Sequence, residues 1–152
     1  MPAIGQPAPD FELPDENGNM VKLSDFRGRK VILFAYPKAD TPGCTIQACG
    51  FRDNFPTVET SNAVVLGMSP DSVEDLKKWK EKMGFQYSLL SDTDHTIMAA
   101  WGAWGEKTSF GKTSIGVIRS HWVIDEDGRI MDEQIKISPE DSVRKALEVV
   151  GG

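Results

Sequence analysis

The stretch Val31-Ile32-Leu33-Phe34-Ala35-Tyr36-Pro37-Lys38-Ala39-Asp40-Thr41-Pro42-Gly43-Cys44 decides how this chain is read. Its first six residues form a continuous apolar run, the pattern of a strand buried on both faces. The residues after it, Thr45 to Phe55, predict a helix with Ile46, Cys49 and Phe55 turned towards the core. Pro42 stands where a first-turn proline is tolerated, because its missing N–H would have no intrahelical partner. Cys44 therefore falls in the opening turn of a helix fed directly by a central strand. Unpaired backbone N–H groups and the positive end of the helix dipole favour an anion at that place. The thiolate is the nucleophilic form of cysteine.

Working outward, the 152 residues suit one domain spanning 1–152. A chain of this length buries roughly 68–70% of its unfolded surface on folding, enough for a core without metal or disulfide support. The net charge of −6 argues against nucleic-acid backbones and anionic membranes as partners. No apolar run approaches the roughly 18 residues of a membrane-spanning helix. The opening Met1-Pro2-Ala3-Ile4-Gly5 has neither a secretory nor a transit pattern. Two cysteines are too few for a secreted disulfide framework, so a cytoplasmic location is expected.

Residues 1–10 read as an extended lead-in. Phe11-Glu12-Leu13 and Met20-Val21-Lys22-Leu23 alternate apolar and polar around the turn chemistry of Asp15-Glu16-Asn17-Gly18, which predicts a hairpin. A single helical turn is expected at 24–28 and a second buried strand at 63–68. Asp71 and Ser72 offer N-caps to a helix carrying Val73, Leu76, Trp79 and Met83 on one face and ended by Gly84. A short strand at 88–90 precedes a helix from about Thr93 to Trp101. Residues 103–118, rich in Gly, Ser, Thr and Lys, read as a long loop. A second hairpin joins 121–124 to 130–135. Ser138-Pro139-Glu140-Asp141 then opens a final helix whose buried face is Val143, Ala146, Leu147 and Val150. Strands alternating with helices imply an α/β sheet covered on both faces.

Pro37, Thr41 and Cys44 form a Pro-x-x-x-Thr-x-x-Cys string that resembles the active-site signature of the peroxiredoxins. With Tyr36, Thr45 and a second cysteine five residues on, it is similar to the bacterioferritin comigratory protein and peroxiredoxin Q branch. The likeness extends to Leu90-Ser91-Asp92, Trp104-Gly105-Glu106-Lys107 and the Gly-x-x-Arg of Gly116 to Arg119. It implies a thioredoxin-like fold, a central mixed sheet flanked by helices, with an N-terminal β-hairpin extension. It also implies a thiol peroxidase of the atypical two-cysteine kind, acting on hydrogen peroxide and alkyl hydroperoxides and recycled by thioredoxin. No cofactor and no metal is implied. With both cysteines in one chain, a monomer is expected.

On that reading Cys44 is the peroxidatic nucleophile, and without the motif it would read as a small buried hydrophobe. Thr41 lies close enough for its hydroxyl to reach the sulfur or a bound oxygen; simple N-capping is its other role. Pro37 shields the site from water or merely ends the strand. The resemblance places Arg119 beside the thiolate, where its fork of donors would orient a peroxide. Gly43 and Tyr36 are candidates for substrate binding, and Trp101, Trp104 and Phe110 for an apolar entrance with Tyr36. Gln47 stands where many relatives carry glutamate, which puts a charged contact with Arg119 in question. Cys49 is the resolving candidate, with core packing as the alternative. His95 and His121 read as structural or surface residues, and a zinc site of Cys44, Cys49 and both histidines fits known spacings poorly. A redox-sensing or client-binding protein using the same disulfide is the competing function. A thioredoxin-type oxidoreductase is disfavoured because C-x-x-C is absent.

Overall fold

The computed structural model describes residues 2–109 and 111–151. Strands β1 (Glu12–Pro14) and β2 (Met20–Lys22) form the N-terminal hairpin, followed by a 3-10 turn at Leu23–Phe26. Next come β3 (Lys30–Ala35), α1 (Pro42–Asp53), α2 (Phe55–Thr60), β4 (Ala63–Ser69), α3 (Val73–Met83), β5 (Ser88–Ser91) and α4 (Thr96–Ala100). The chain closes with β6 (Trp104–Ser109), β7 (Lys112–Val117), β8 (Ser120–Ile124), β9 (Ile130–Ile135) and α5 (Pro139–Gly151). A five-stranded sheet in the order β5-β4-β3-β8-β9 is the frame. β3, β4 and β5 run parallel, while β8 and β9 add antiparallel pairings. The expected mixed sheet, flanked by helices and extended by an N-terminal hairpin, is therefore present.

The apolar run of β3 divides by strand alternation between two cores. Val31, Leu33 and Ala35 face a layer built from the N-terminal hairpin, α4, Trp101 and Trp122. Ile32, Phe34 and Tyr36 face the opposite layer, where Cys44, Ala48 and Phe51 of α1 meet Leu76 and Trp79 of α3 and Ala146 and Val150 of α5. Each fully buried side chain of this size contributes about 1.5–3 kcal/mol, so this one strand anchors both halves of the core.

Four readings change in the structure. The buried face of α1 runs Cys44, Gln47, Ala48 and Phe51, whereas Ile46 is 46% exposed. The glutamine on the apolar stripe concealed its phase. Helix α1 also stops at Asp53, and α2 starts afresh with Pro56 in its first turn. Residues 103–118 are mostly a hairpin, not a loop, with β6 and β7 in register from Trp104↔Val117 to Ser109↔Lys112. Most of β7 is exposed, so no apolar alternation marks it; Gly111, at φ 76°, makes the turn possible. Finally, α4 begins at Thr96 because Asp92 accepts from the Ile97 and Met98 amides and His95 adopts a left-handed conformation (φ 49°).

Helices α1 and α5 approach closely at Gly50, where an added Cβ would lie 2.6 Å from Val143 Cγ2 and 3.3 Å from Val143 Cβ. The stiff β-branched valine has little room to yield. Gly50→Ala should lower stability by about 1–3 kcal/mol through overpacking, against a helix-propensity gain of about 0.5–1 kcal/mol. Urea unfolding measures this, and adding Val143→Ala should recover most of the loss. A stabilised Gly50→Ala single variant would contradict the close packing.

Candidate active site

The turn between β3 and α1 is held from two sides. Asp71 Oδ2 accepts hydrogen bonds from the Ala39 amide and the Ser69 hydroxyl, each at 2.7 Å. Asp40 takes a left-handed φ of 60° and pairs with Lys82 Nζ at 2.8 Å. Asp71 thus ties the turn to the end of β4, and the N-cap of α3 is Ser72, whose side chain accepts from the Asp75 amide. At the start of α1, Thr41 is the N-cap and Pro42 opens the helix as expected. The Thr41 side chain makes no capping bond; its hydroxyl donates to the Lys38 carbonyl at 2.7 Å. With its one proton so engaged, the oxygen retains acceptor capacity.

Cys44 lies in the first turn of α1 and is 1% exposed. Arg119, between β7 and β8, reaches it: Nη2 is 3.4 Å from Cys44 Sγ, and Nη1 donates to Gln47 Oε1 at 2.7 Å. One guanidinium fork therefore spans residues 44 and 47, one helical turn apart. Gly43 leaves room for it, since a Cβ there would stand 3.0 Å from Nη2. The contact with Gln47 pairs a charged donor with a neutral amide oxygen, a charge-assisted hydrogen bond.

Arg119 and Pro37 also border a cleft of about 650 Å3. Its apolar wall includes Ile118, Ile135 and Ile137, with Lys107 and Lys136 among its charged members. Tyr36 does not reach this cleft. Strand alternation sends its side chain into the core, where it is fully buried between Phe34 and Trp79. Trp101 is likewise buried, against Phe11 and Trp122, and Trp104 stacks face to face on His95 at 3.6 Å. Phe110, the remaining candidate for an entrance, lies outside the described residues.

Cys49 lies half-buried on α1 against the second core, and burial pushes its thiol above the ordinary value, with Asp53 acting the same way and Arg52 opposing. Both cysteines are free. His121 is fully buried, with Nδ1 2.8 Å from Ser142 Oγ and Nε2 3.0 Å from Asp132 Oδ2. The zinc arrangement is therefore not assembled: His95 stacks on Trp104, and both nitrogens of His121 are engaged elsewhere. Gln47 is the site residue whose role the sequence reading did not assign. Its place three residues after Cys44, one helical turn on, is the one signal the sequence carries for it.

Burial, opposed by Asp132 and reinforced by nearby Lys145, holds the His121 pKa below its ordinary value. As pH falls, the unfolded chain takes up this proton first. The contribution of neutral His121 to stability is therefore full above about pH 6.5 and is lost below that value, towards the depressed folded one. Urea unfolding of His121→Asn across the acid range should show a shallower fall in free energy than the parent protein. Equal slopes would remove His121 as the titrating group.

Comparison with known proteins places these features. Residues 4–133 match the AhpC/TSA family. Peroxiredoxin Bcp of Bacillus subtilis is 44% identical over 147 residues, covering 97% of this chain and 94% of that protein. The crystal structure of peroxidoxin BcpB from Mycobacterium tuberculosis superposes with a TM-score of 0.87 at 36% identity, over 99% of this chain and 97% of that one. The bacterioferritin comigratory protein of Xanthomonas campestris, described by its alkyl peroxide reduction activity, gives a TM-score of 0.86 at 27% identity over 92% and 89%. The fold is thus the thioredoxin-like one, and no helix among the described residues is long and apolar enough to cross a membrane. With that match running from residue 4 to residue 133 and the relatives aligned over nearly the whole length, the chain belongs to the AhpC/TSA family, in the peroxiredoxin branch of bacterioferritin comigratory protein and peroxiredoxin Q.

Proposed function

We propose that the protein is a thioredoxin-dependent peroxidase that reduces hydrogen peroxide and organic hydroperoxides at Cys44. The observation that carries this reading is the Arg119 Nη2 to Cys44 Sγ contact of 3.4 Å at a helix start, beside a cleft with an apolar wall. In the first step the Cys44 thiolate attacks one peroxide oxygen, the O–O bond breaks, and the other oxygen leaves with a proton as water or alcohol. Negative charge moves from sulfur to the departing oxygen, so the fixed donors of Arg119 act where charge develops. Thr41, with its proton engaged by Lys38, accepts a hydrogen bond from the peroxide hydroxyl. Pro37 limits water at the mouth.

The product is a sulfenic acid on Cys44. The Cys49 thiol attacks it, forming the Cys44–Cys49 disulfide and releasing water, and the two thiols of thioredoxin then reduce the disulfide. The raised pKa of Cys49 keeps it a thiol while Cys44 reacts. Both cysteines belong to one chain, so a monomer suffices. Replacing either by serine separates the steps. Cys44→Ser should abolish peroxide consumption and sulfenic-acid labelling. Cys49→Ser should give one burst per chain and no steady turnover with thioredoxin, thioredoxin reductase and NADPH. Full steady turnover by Cys49→Ser would exclude it as the resolving residue. Disulfide formation without turnover in the parent protein would favour the redox-sensing function instead.

Helix geometry adds a requirement. Cys44 and Cys49 both lie within α1 (Pro42–Asp53). Residues five apart on a helix are rotated about 140° and separated by about 8–9 Å between Cα atoms, beyond the roughly 7 Å that a disulfide tolerates. Oxidation therefore unwinds this segment. It must break the Tyr87 hydroxyl to Ala48 carbonyl bond of 2.6 Å or the Gln47 contacts that hold the helix down. Hydrogen exchange should show amides between Thr45 and Phe51 losing protection on oxidation while β3 retains its own. Equal protection in both states, with the disulfide confirmed by mass spectrometry, would sink the unwinding step.

A further inference from the structure

We infer that Ser142 and His121 are positioning residues for Arg119: with Asp132 they fix the amide of Gln47 so that its oxygen, not its nitrogen, faces the guanidinium. This rests on the proposed role of Arg119 in the peroxide step. The two ends of a glutamine amide are nearly alike in shape, so the groups on both sides of it select which end meets the arginine.

The selection follows from counting protons. Arginine only donates, so the Gln47 atom at 2.7 Å from Nη1 is Oε1. The other end, Nε2, donates to Ser142 Oγ at 2.9 Å. Ser142 has a single proton, which it passes to His121 Nδ1 at 2.8 Å. A neutral imidazole whose Nδ1 accepts carries its proton on Nε2, and this donates to Asp132 Oδ2 at 3.0 Å. Asp132 Oδ1 is steadied by Gln134 Nε2 at 3.0 Å. The bonds run one way from the guanidinium to the carboxylate, with a donor and an acceptor at every junction.

Reversing the amide breaks this order. An NH2 group would face the guanidinium, two donors in contact. Ser142 would have to donate to Gln47, His121 would have to donate from Nδ1, and Nε2 would stand bare against Asp132 unless the ring took a second proton. The side chains of Gln47, Ser142 and His121 are fully buried, so water does not repair a mismatch. The charged groups acting on His121 are Asp132 on β9 and Lys145 on α5, and burial outweighs the attraction of Asp132. The ring therefore stays neutral and the amide stays pointed. Four elements, α1, α5, β8 and β9, thus supply one orientation to Arg119.

Nitrogen-15 NMR of the reduced full-length protein at neutral pH tests the chain of donors without any substitution. His121 should appear as the neutral Nε2–H tautomer. An Nδ1–H tautomer or an imidazolium would overturn the inference. Ser142→Ala removes the acceptor for Gln47 Nε2. It should slow the second-order reaction with hydrogen peroxide about tenfold, one lost buried hydrogen bond, and merge Arg119 Nη signals that are separate in the parent protein. An unchanged rate with unchanged Arg119 signals would also overturn it. Should Ser142→Ala fail to fold, the tautomer in the parent protein decides. Absence of peroxide consumption by the parent protein would defeat the proposed function, while the tautomer and the Arg119 signals would still judge the relay.

Discussion

The guanidinium of Arg119 is the contact on which the site depends. It joins two segments more than seventy residues apart, binding Cys44 with one nitrogen and Gln47 with the other. A planar fork is suited to this, because both donors are aimed by one rigid group and a lysine would supply a single point of charge. The fork needs a backbone that lets it approach, and Gly43 leaves that room. It also needs a fixed target, and the first turn of α1 provides one only while the helix remains formed.

That dependence links stability to chemistry. The face of α1 that carries Cys44 and Gln47 is the face that buries Ala48 and Phe51, so the residues of the site are placed by core packing. The helix is also tied down by polar bonds to its neighbours, through Tyr87 at Ala48, Arg52 at the Met83 carbonyl, and Gln47 at Ser142. These are localised contacts, each worth about 0.5–1.5 kcal/mol net. A segment held by core packing, a few such bonds and one close helix–helix approach is firm enough to form a site. It is also within reach of the local opening that the proposed disulfide demands.

Much of this was legible in the chain. The apolar run of β3 and the first-turn proline of α1 fix a strand-to-helix junction, because each acts through local sterics and burial pattern. Cys44 at a helix start follows from those two facts alone. The hairpin at 12–22, the capped start of α5 at Ser138 and the glycine end of α3 are equally local, and the structure contains all three.

Tertiary structure decided what local rules cannot reach. The phase of α1 depended on which neighbours it meets, so Ile46 turned outward and Gln47 inward. The strands β6 and β7 show little alternation because β7 is largely exposed, and only their pairing makes them strands. Tyr36 went to the core by strand parity, while Pro37, one residue on, borders the cleft. Above all, the meeting of Gln47, Ser142, His121 and Asp132 joins residues up to 95 positions apart. Buried polar groups find partners because leaving one unpaired costs about 1–3 kcal/mol. Sequence states that a buried histidine or glutamine needs a partner; only the packing of α1, α5, β8 and β9 determines which one it has.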